Sequence, residues 1–170
     1  PEFYNSISAY KGLGFKEIVF LGDGYFKKED DDDFIFDGDL LDYNLNYLEN
    51  LDISDGPILN YVVGMYGHLP YERNVKLRPD EITLNTKDKT LQKIANQFYY
   101  RTKALSQFIE KLQSNNREEI VLIISDHLPP IFNGDIRYNQ SNHSNIALLL
   151  NNGHPIDINK KNYYQLPHII

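Results

Sequence analysis

The sequence predicts an α/β fold in which a mixed, mostly parallel sheet is flanked by helices on both faces, and three stretches carry that expectation. Ile120-Val121-Leu122-Ile123-Ile124 is an apolar run without alternation, the pattern of a strand covered on both faces. Pro57 to Gly67 holds a second apolar run, Ile58-Leu59 and Tyr61-Val62-Val63. Between them, from Asp88 to Ser114, Leu91, Ile94, Ala95, Phe98, Leu105, Phe108, Ile109 and Leu112 recur at three and four residues, an amphipathic helix of about seven turns. A helix joining two parallel strands makes a right-handed crossover.

Taken in order, residues 3–12 read as a short helix with Gly12 as its left-handed cap, and Leu13-Gly14-Phe15 turns into a strand near 17–22. Gly12 and Gly14 lack the third glycine and the preceding strand of a dinucleotide fingerprint, so they are turn residues. Gly22-Asp23-Gly24 closes that strand. Glu29 to Asp33 is an unbroken acidic block that reads as a solvated loop. It does not fit a calcium loop, since Ile35 and Phe36 stand where a ligand and a glycine are needed. Asp37 or Asp39 starts a helix near 38–50, with Leu40, Leu41, Tyr43, Leu45, Tyr47 and Leu48 as its apolar positions. Strands follow near 57–67, 119–125 and 145–151, with the long helix near 88–114 packing the core. Phe132 to Ser144 is polar and loop-like, and its two Asn-x-Ser triplets, at Asn139 and Asn142, match the glycosylation pattern by chance as readily as by purpose.

At 170 residues the chain supports one core, and a net charge of -7 with a pI near 5.1 argues against a nucleic-acid partner, which needs a basic face. That acidity suits divalent cations. Cysteine is absent, which removes disulfides, thiolate zinc sites and a cysteine nucleophile. No apolar run approaches the ~20 residues of a membrane span, and the amino terminus lacks a signal-peptide pattern. Pro1 and the sequence Leu166-Pro167-His168-Ile169-Ile170 read as cut ends, so residues 1–170 are expected to be a single soluble, partial domain truncated at both ends.

Asp126 and His127 follow the apolar run at 120–124, where α/β sheets place their ligands, and a carboxylate beside an imidazole can hold a divalent metal. The competing reading makes Asp126 a turn cap and His127 a solvated loop histidine. His68 stands in the same relation to the run at 57–67, after Gly64 and Gly67, which permit close backbone approach to a ligand. A single loop histidine is more often structural, and it is the repeated strand-then-histidine pattern that raises His68. His143 and His154 flank the strand near 145–151 and read as loop histidines.

These residues carry a resemblance. Ser125-Asp126-His127-Leu128-Pro129-Pro130 after an apolar strand resembles the Gly-Asp-His-Leu-Pro signature of the sulfatase-like, alkaline-phosphatase-superfamily membrane enzymes typified by lipoteichoic acid synthase and phosphoglycerol transferases. Phe3-Tyr4-Asn5 with Tyr10 and Leu13-Gly14-Phe15 is similar to that family's aromatic-Asn-Arg block, and Val63 to Tyr71 to its strand ending in a histidine before proline. The order of the blocks matches along nearly the whole chain, as the carboxyl-terminal part of a catalytic domain.

The resemblance implies an alkaline-phosphatase-like sheet and a metal-dependent transfer in which a threonine attacks a phosphodiester. Asp126 and His127 would ligate a divalent metal, Mn2+ first and Zn2+, Mg2+ or Ca2+ as alternatives. His68 and Tyr4 would contact substrate, and the nucleophile would lie upstream, leaving this fragment inactive alone. The implied partners are a phospholipid donor of phosphoglycerol or phosphoethanolamine and a glycan or lipid acceptor, in cell-envelope or capsular polymer modification. The implied place is the extracytoplasmic face of a bacterial membrane, reached through segments outside this chain. Ser6 departs from the pattern, standing where the family often has an arginine able to clamp phosphate bidentately. Three other readings stay open: a sulfate or phosphate ester hydrolase of the same superfamily, a cytosolic phosphatase or mutase on that fold, and a non-catalytic module binding a glycan or protein.

Overall fold

Helix α1 (Ser6–Gly12) ends in a Schellman arrangement, seen in a computed structural model that describes residues 6–20, 23–52, 54, 56–115, 117–127 and 145–168. Phe15 N donates to Tyr10 O (3.3 Å) and Gly14 N to Lys11 O (3.1 Å), while the Phe15 and Tyr10 rings meet edge to face at 5.9 Å. The left-handed residue is Gly14, at φ 87°, rather than the expected Gly12, which stays inside the helix. No strand follows over residues 16–20. Phe20 N bonds Asp23 Oδ2 (2.6 Å) and Asp23 N returns to Phe20 O (3.0 Å).

Helix α2 (Asp37–Glu49) begins with Asp37 and Asp39 in its first turn, where carboxylates favour the positive end of the helix dipole. Helix α3 (Lys89–Ser114) is capped by Asp88, whose side chain accepts from Thr90 N (2.8 Å) and Leu91 N (3.2 Å). The two helices pack on each other and bury Leu45, Ile94, Ala104 and Phe108. The α2–α3 contact is tied by the ion pairs Arg101–Asp37 (2.7 Å) and Lys111–Asp42 (2.6 Å).

The segment 57–67 is the second departure from expectation, because it forms no strand. The Asn60 side chain and the Tyr66 N–H are instead taken by side chains of α2. Asn44 and Asn60 exchange amide hydrogen bonds (3.1 and 2.8 Å), and Tyr66 N donates to Asp37 Oδ1 (3.2 Å). Ile58, Leu59, Tyr61 and Val63 are exposed, so the apolar run is not covered on two faces.

The sheet is a three-stranded antiparallel meander, β1 (Ile120–Ile124), β2 (Ala147–Asn151) and β3 (His154–Ile156), with Ile120 opposite Asn151 and Ile124 opposite Ala147. The expected mostly parallel sheet, helices on both of its faces and right-handed crossover are thus not what the described residues form; helices pair with helices and strands with strands. The reason is local. Asn152 and Gly153, at φ 48° and 75°, make the two-residue turn whose backbone twist suits an antiparallel hairpin. Asn152 also extends the β1 ladder, giving its N–H to Glu119 O and accepting Glu119 N at Oδ1, both at 2.9 Å. The central strand β2, with Leu149 and Leu150 buried in succession, is the one covered on both faces; β1 is only half-buried. A 3-10 helix, Tyr163–His168, anchors itself through buried Leu166.

Candidate functional site

Strand β1 carries the chain out to Ser125, Asp126 and His127, all exposed. The turn is held at its side chain: Asp126 Oδ1 accepts the N–H of His127 (2.8 Å). That bond swings Oδ2 toward the imidazole, 3.4 Å from His127 Nε2, with the two side chains 87% and 56% exposed. A carboxylate oxygen and a ring nitrogen therefore face solvent side by side at the carboxyl end of an apolar strand. Sequence reasoning put both residues there.

The backbone beneath them is held from two further elements. Asn145 Nδ2 lies within hydrogen-bonding distance of Asp126 O (2.7 Å), Ser125 O (3.2 Å) and Tyr163 Oη (2.9 Å), and Tyr163 Oη–H donates to Ser125 O (2.6 Å). Sequence reasoning singled out neither residue. Nothing in spacing points to them, since Tyr163 lies 38 residues beyond Ser125 and meets it only through the hairpin.

An aromatic group adjoins this end of the strand. Tyr61 packs its ring 5.9 Å from Tyr10 and 6.3 Å from Phe15. Burial pushes the Tyr61 phenol above its ordinary pKa, Tyr10 adds to the shift, and the negative charge of Asp126 acts in the same direction. Tyr61, packed on the α1 cap, thus lies within electrostatic reach of Asp126.

His68 sits elsewhere in the pattern, in a tight turn where His68 N bonds Met65 O (3.0 Å) and Tyr71 N bonds His68 O (3.3 Å). The Leu69–Pro70 peptide is cis. The His68 ring is exposed, meets Phe34 edge to face at 5.7 Å, and places Nδ1 3.1 Å from Leu69 O. Gly64 and Gly67 do permit a close approach, but to protein: a side chain at Gly64 would strike the Asp37 carboxylate, and one at Gly67 the Arg101 guanidinium.

The acidic block is also structural. Asp32 is 2% exposed and paired with Arg78, while its Oδ1 accepts Asn74 N (2.7 Å) and the Tyr66 hydroxyl (3.2 Å). Asp33 Oδ2 takes Glu72 N at 2.6 Å. The solvated-loop expectation fails at Asp32, where one basic partner 46 residues away, Arg78, supplies the counter-charge, while Asp30 and Asp31 are exposed.

Among the described residues no three His, Asp or Glu side chains gather into a metal-sized cluster, so His68 does not join Asp126 and His127 in one. His154, on β3, is exposed. Tyr4, Pro129, Pro130 and His143 lie outside the described residues. No helix among the described residues is long and apolar enough to cross a membrane. Searches of curated proteins and of solved structures return no match. The profile of one family, described as Sulfatase, matches residues 2–166, which takes in α1, the His68 turn and the Asp126-His127 strand end together. Matched along nearly its whole length, the chain belongs to the sulfatase family.

Proposed function

We propose that this chain is the carboxyl-terminal part of a sulfatase-family catalytic domain whose complete form is a metal-dependent phosphoryl-group transferase. In this reading it moves phosphoglycerol or phosphoethanolamine from a phospholipid donor to a glycan or lipid acceptor at the extracytoplasmic face of a bacterial membrane. The observation that carries it is the exposed Asp126 and His127 pair, Oδ2 to Nε2 3.4 Å, at the end of an apolar strand in a chain that the sulfatase profile matches over 2–166. The order of the Tyr4, His68 and Asp126-His127 blocks supports the transferase branch.

Asp126 and His127 would hold the metal. One carboxylate and one imidazole are a donor set that suits Mn2+ or Zn2+ better than Mg2+ or Ca2+, whose protein sites are built from oxygen. Such an ion, when bound, lowers the pKa of an attacking hydroxyl and offsets charge on phosphoryl oxygens. His68 would face the substrate. Because a carbonyl only accepts, its Nδ1 contact with Leu69 O needs the proton on Nδ1, which leaves Nε2 to meet a phosphoryl oxygen when the ring is protonated. Tyr4 would line the same headgroup site. The threonine nucleophile belongs to a region that the resemblance sets upstream of these blocks.

Ser6 favours a second reading, a sulfate or phosphate ester hydrolase, because the arginine clamp for a glycerol-phosphate headgroup is missing at that position. The deciding experiment replaces Asp126 and His127 by alanine in the complete protein and follows Mn2+-dependent hydrolysis of a phosphodiester reporter. Loss of turnover is expected, and unchanged turnover refutes the ligand assignment. Cleavage of an aryl sulfate in place of the phosphodiester selects the hydrolase.

A further inference from the structure

We infer that Asn145 and Tyr163 are positioning residues for the Asp126 and His127 pair, aiming the Asp126 carboxylate by fixing the two peptide planes on either side of its Cα. The inference rests on the reading of that pair as metal ligands.

The β1–β2 ladder ends at Ile124 opposite Ala147. Continued two residues further, the same register sets Asn145 opposite Asp126, but the main chain supplies no more rungs. Side chains take over. The Asn145 amide nitrogen reaches Asp126 O at 2.7 Å and Ser125 O at 3.2 Å, and the Tyr163 hydroxyl donates to Ser125 O at 2.6 Å. Ser125 O belongs to the peptide before Asp126 Cα, and Asp126 O to the peptide after it.

A peptide unit is planar, so a carbonyl held in direction fixes its whole plane. With both flanking planes held, φ and ψ of Asp126 are set, and with them the direction of its Cα–Cβ bond. The His127 N–H then lies where Asp126 Oδ1 can accept it, at 2.8 Å, which selects the carboxylate rotamer and leaves Oδ2 beside the imidazole. The Asn145 amide and the Tyr163 hydroxyl also bond each other at 2.9 Å, closing the network across three chain segments. Tyr163 is itself seated by its 3-10 helix, where Leu166 is buried and Asn162 N bonds Gln165 Oε1 at 2.9 Å. An exposed Asp-His turn would otherwise sample many rotamers. Groups that orient a ligand from behind commonly change metal affinity by about 10- to 100-fold when removed.

The test uses the full chain with Tyr163→Phe, Asn145→Ala and Asp126→Ala, and Mn2+ alone as the probe in calorimetric titration. NMR couplings and shifts that report Asp126 φ and the His127 amide are recorded in parallel, without metal. Tyr163→Phe keeps the ring and removes one donor, so it tests the network without emptying the site. The expected result is Mn2+ affinity about tenfold weaker in Tyr163→Phe and Asn145→Ala, with a changed Asp126 φ and a displaced His127 amide resonance. Wild-type φ and amide signals in both variants overturn the inference, whatever the metal does. Wild-type Mn2+ affinity in both variants, while Asp126→Ala weakens it, overturns the inference and leaves the ligand reading standing. Wild-type affinity in Asp126→Ala overturns the ligand reading and with it this one.

Discussion

Arg101, midway along α3, donates from Nε to Asp37 Oδ2 at 2.7 Å, and Asp37 Oδ1 in turn accepts the backbone N–H of Tyr66 at 3.2 Å. One carboxylate therefore joins α2, α3 and the turn that presents His68. Asp37 is only 10% exposed at its side chain, and Arg101 32%. Arg101→Ala leaves a buried carboxylate with one N–H partner, and the expected loss is about 2 kcal/mol, below the 3–5 of a fully buried pair because Arg101 is partly solvated. Urea unfolding of the variant measures it; an unchanged midpoint would show that the pair contributes nothing.

Gly64 tests the same junction from the other side. A Cβ built there falls 2.6 Å from Asp37 Oδ1 and 2.7 Å from Cγ, and the carboxylate is pinned by Arg101 and Tyr66. Gly64→Ala is expected to cost roughly 1–3 kcal/mol through overpacking. Pairing it with Asp37→Ala, which vacates the space, should recover much of that loss relative to Asp37→Ala alone. Strict additivity of the two changes would show that they do not touch.

Tyr66 predicts an alkaline transition. Its burial raises the phenol pKa from the ordinary 10.0 to about 12, against the opposing pull of Arg78, whose Nε lies 2.7 Å from the hydroxyl. Between those two values the folded protein keeps a proton that the unfolded chain has lost. The stability is fully present below pH 10 and falls as pH rises toward 12. The loss is on the order of 2 kcal/mol. Tyr66→Phe removes this dependence and costs about 1–2 kcal/mol at neutral pH, because Asp32 and Arg78 each lose a partner. Parallel unfolding curves for both proteins from pH 9 to 12 give the difference; identical slopes refute the assignment.

Asn96 is 0% exposed on α3, yet its side chain behaves like a strand. Oδ1 accepts Glu81 N (2.7 Å) and Ile82 N (2.9 Å), and Nδ2 donates to Ile82 O (2.8 Å). Gln92 adds a bond from Leu84 N to its Oε1 (2.9 Å). Asn96→Leu strips partners from two backbone N–H groups and is expected to cost about 2–4 kcal/mol. It should also speed amide exchange at Glu81 and Ile82 specifically; protection equal to wild type at those two amides would refute the clamp.

These residues mark where the sequence stopped being legible. Periodicity located α2 and α3, and apolar runs located β1 and β2, because each is a local pattern, and Asp126 and His127 were found because they end one of those patterns. Asn96 and Gln97 are buried in the same helix and were invisible, since a buried polar residue has meaning only once its partner is known. The pairing of Arg101 with Asp37 is hidden for the same reason, since the two residues stand 64 positions apart. Among the described residues, 17–20 and 57–67 have strand composition without a strand, because pairing needs a neighbour that composition does not supply. The antiparallel turn was legible: Asn152-Gly153 is the strongest short hairpin signal, and the expectation of a parallel strand near 145–151 passed over it.

Asp126→Asn separates the two things Asp126 is asked to do. Its Oδ1 accepts the His127 N–H at 2.8 Å, and an amide oxygen accepts as well as a carboxylate oxygen, so the turn survives the change. With the side chain 87% exposed, thermal stability should stay within about 0.5 kcal/mol of wild type. What the amide lacks is the negative charge that draws a divalent cation beside the His127 ring. In the complete protein, Mn2+-dependent turnover of a phosphodiester reporter should therefore fall roughly 100-fold or more, about 2.7 kcal/mol of transition-state stabilisation. A variant that keeps both its stability and its Mn2+ response would reduce Asp126 to a turn residue. One that keeps its stability and loses the response separates ligand chemistry from local structure at a single atom exchange.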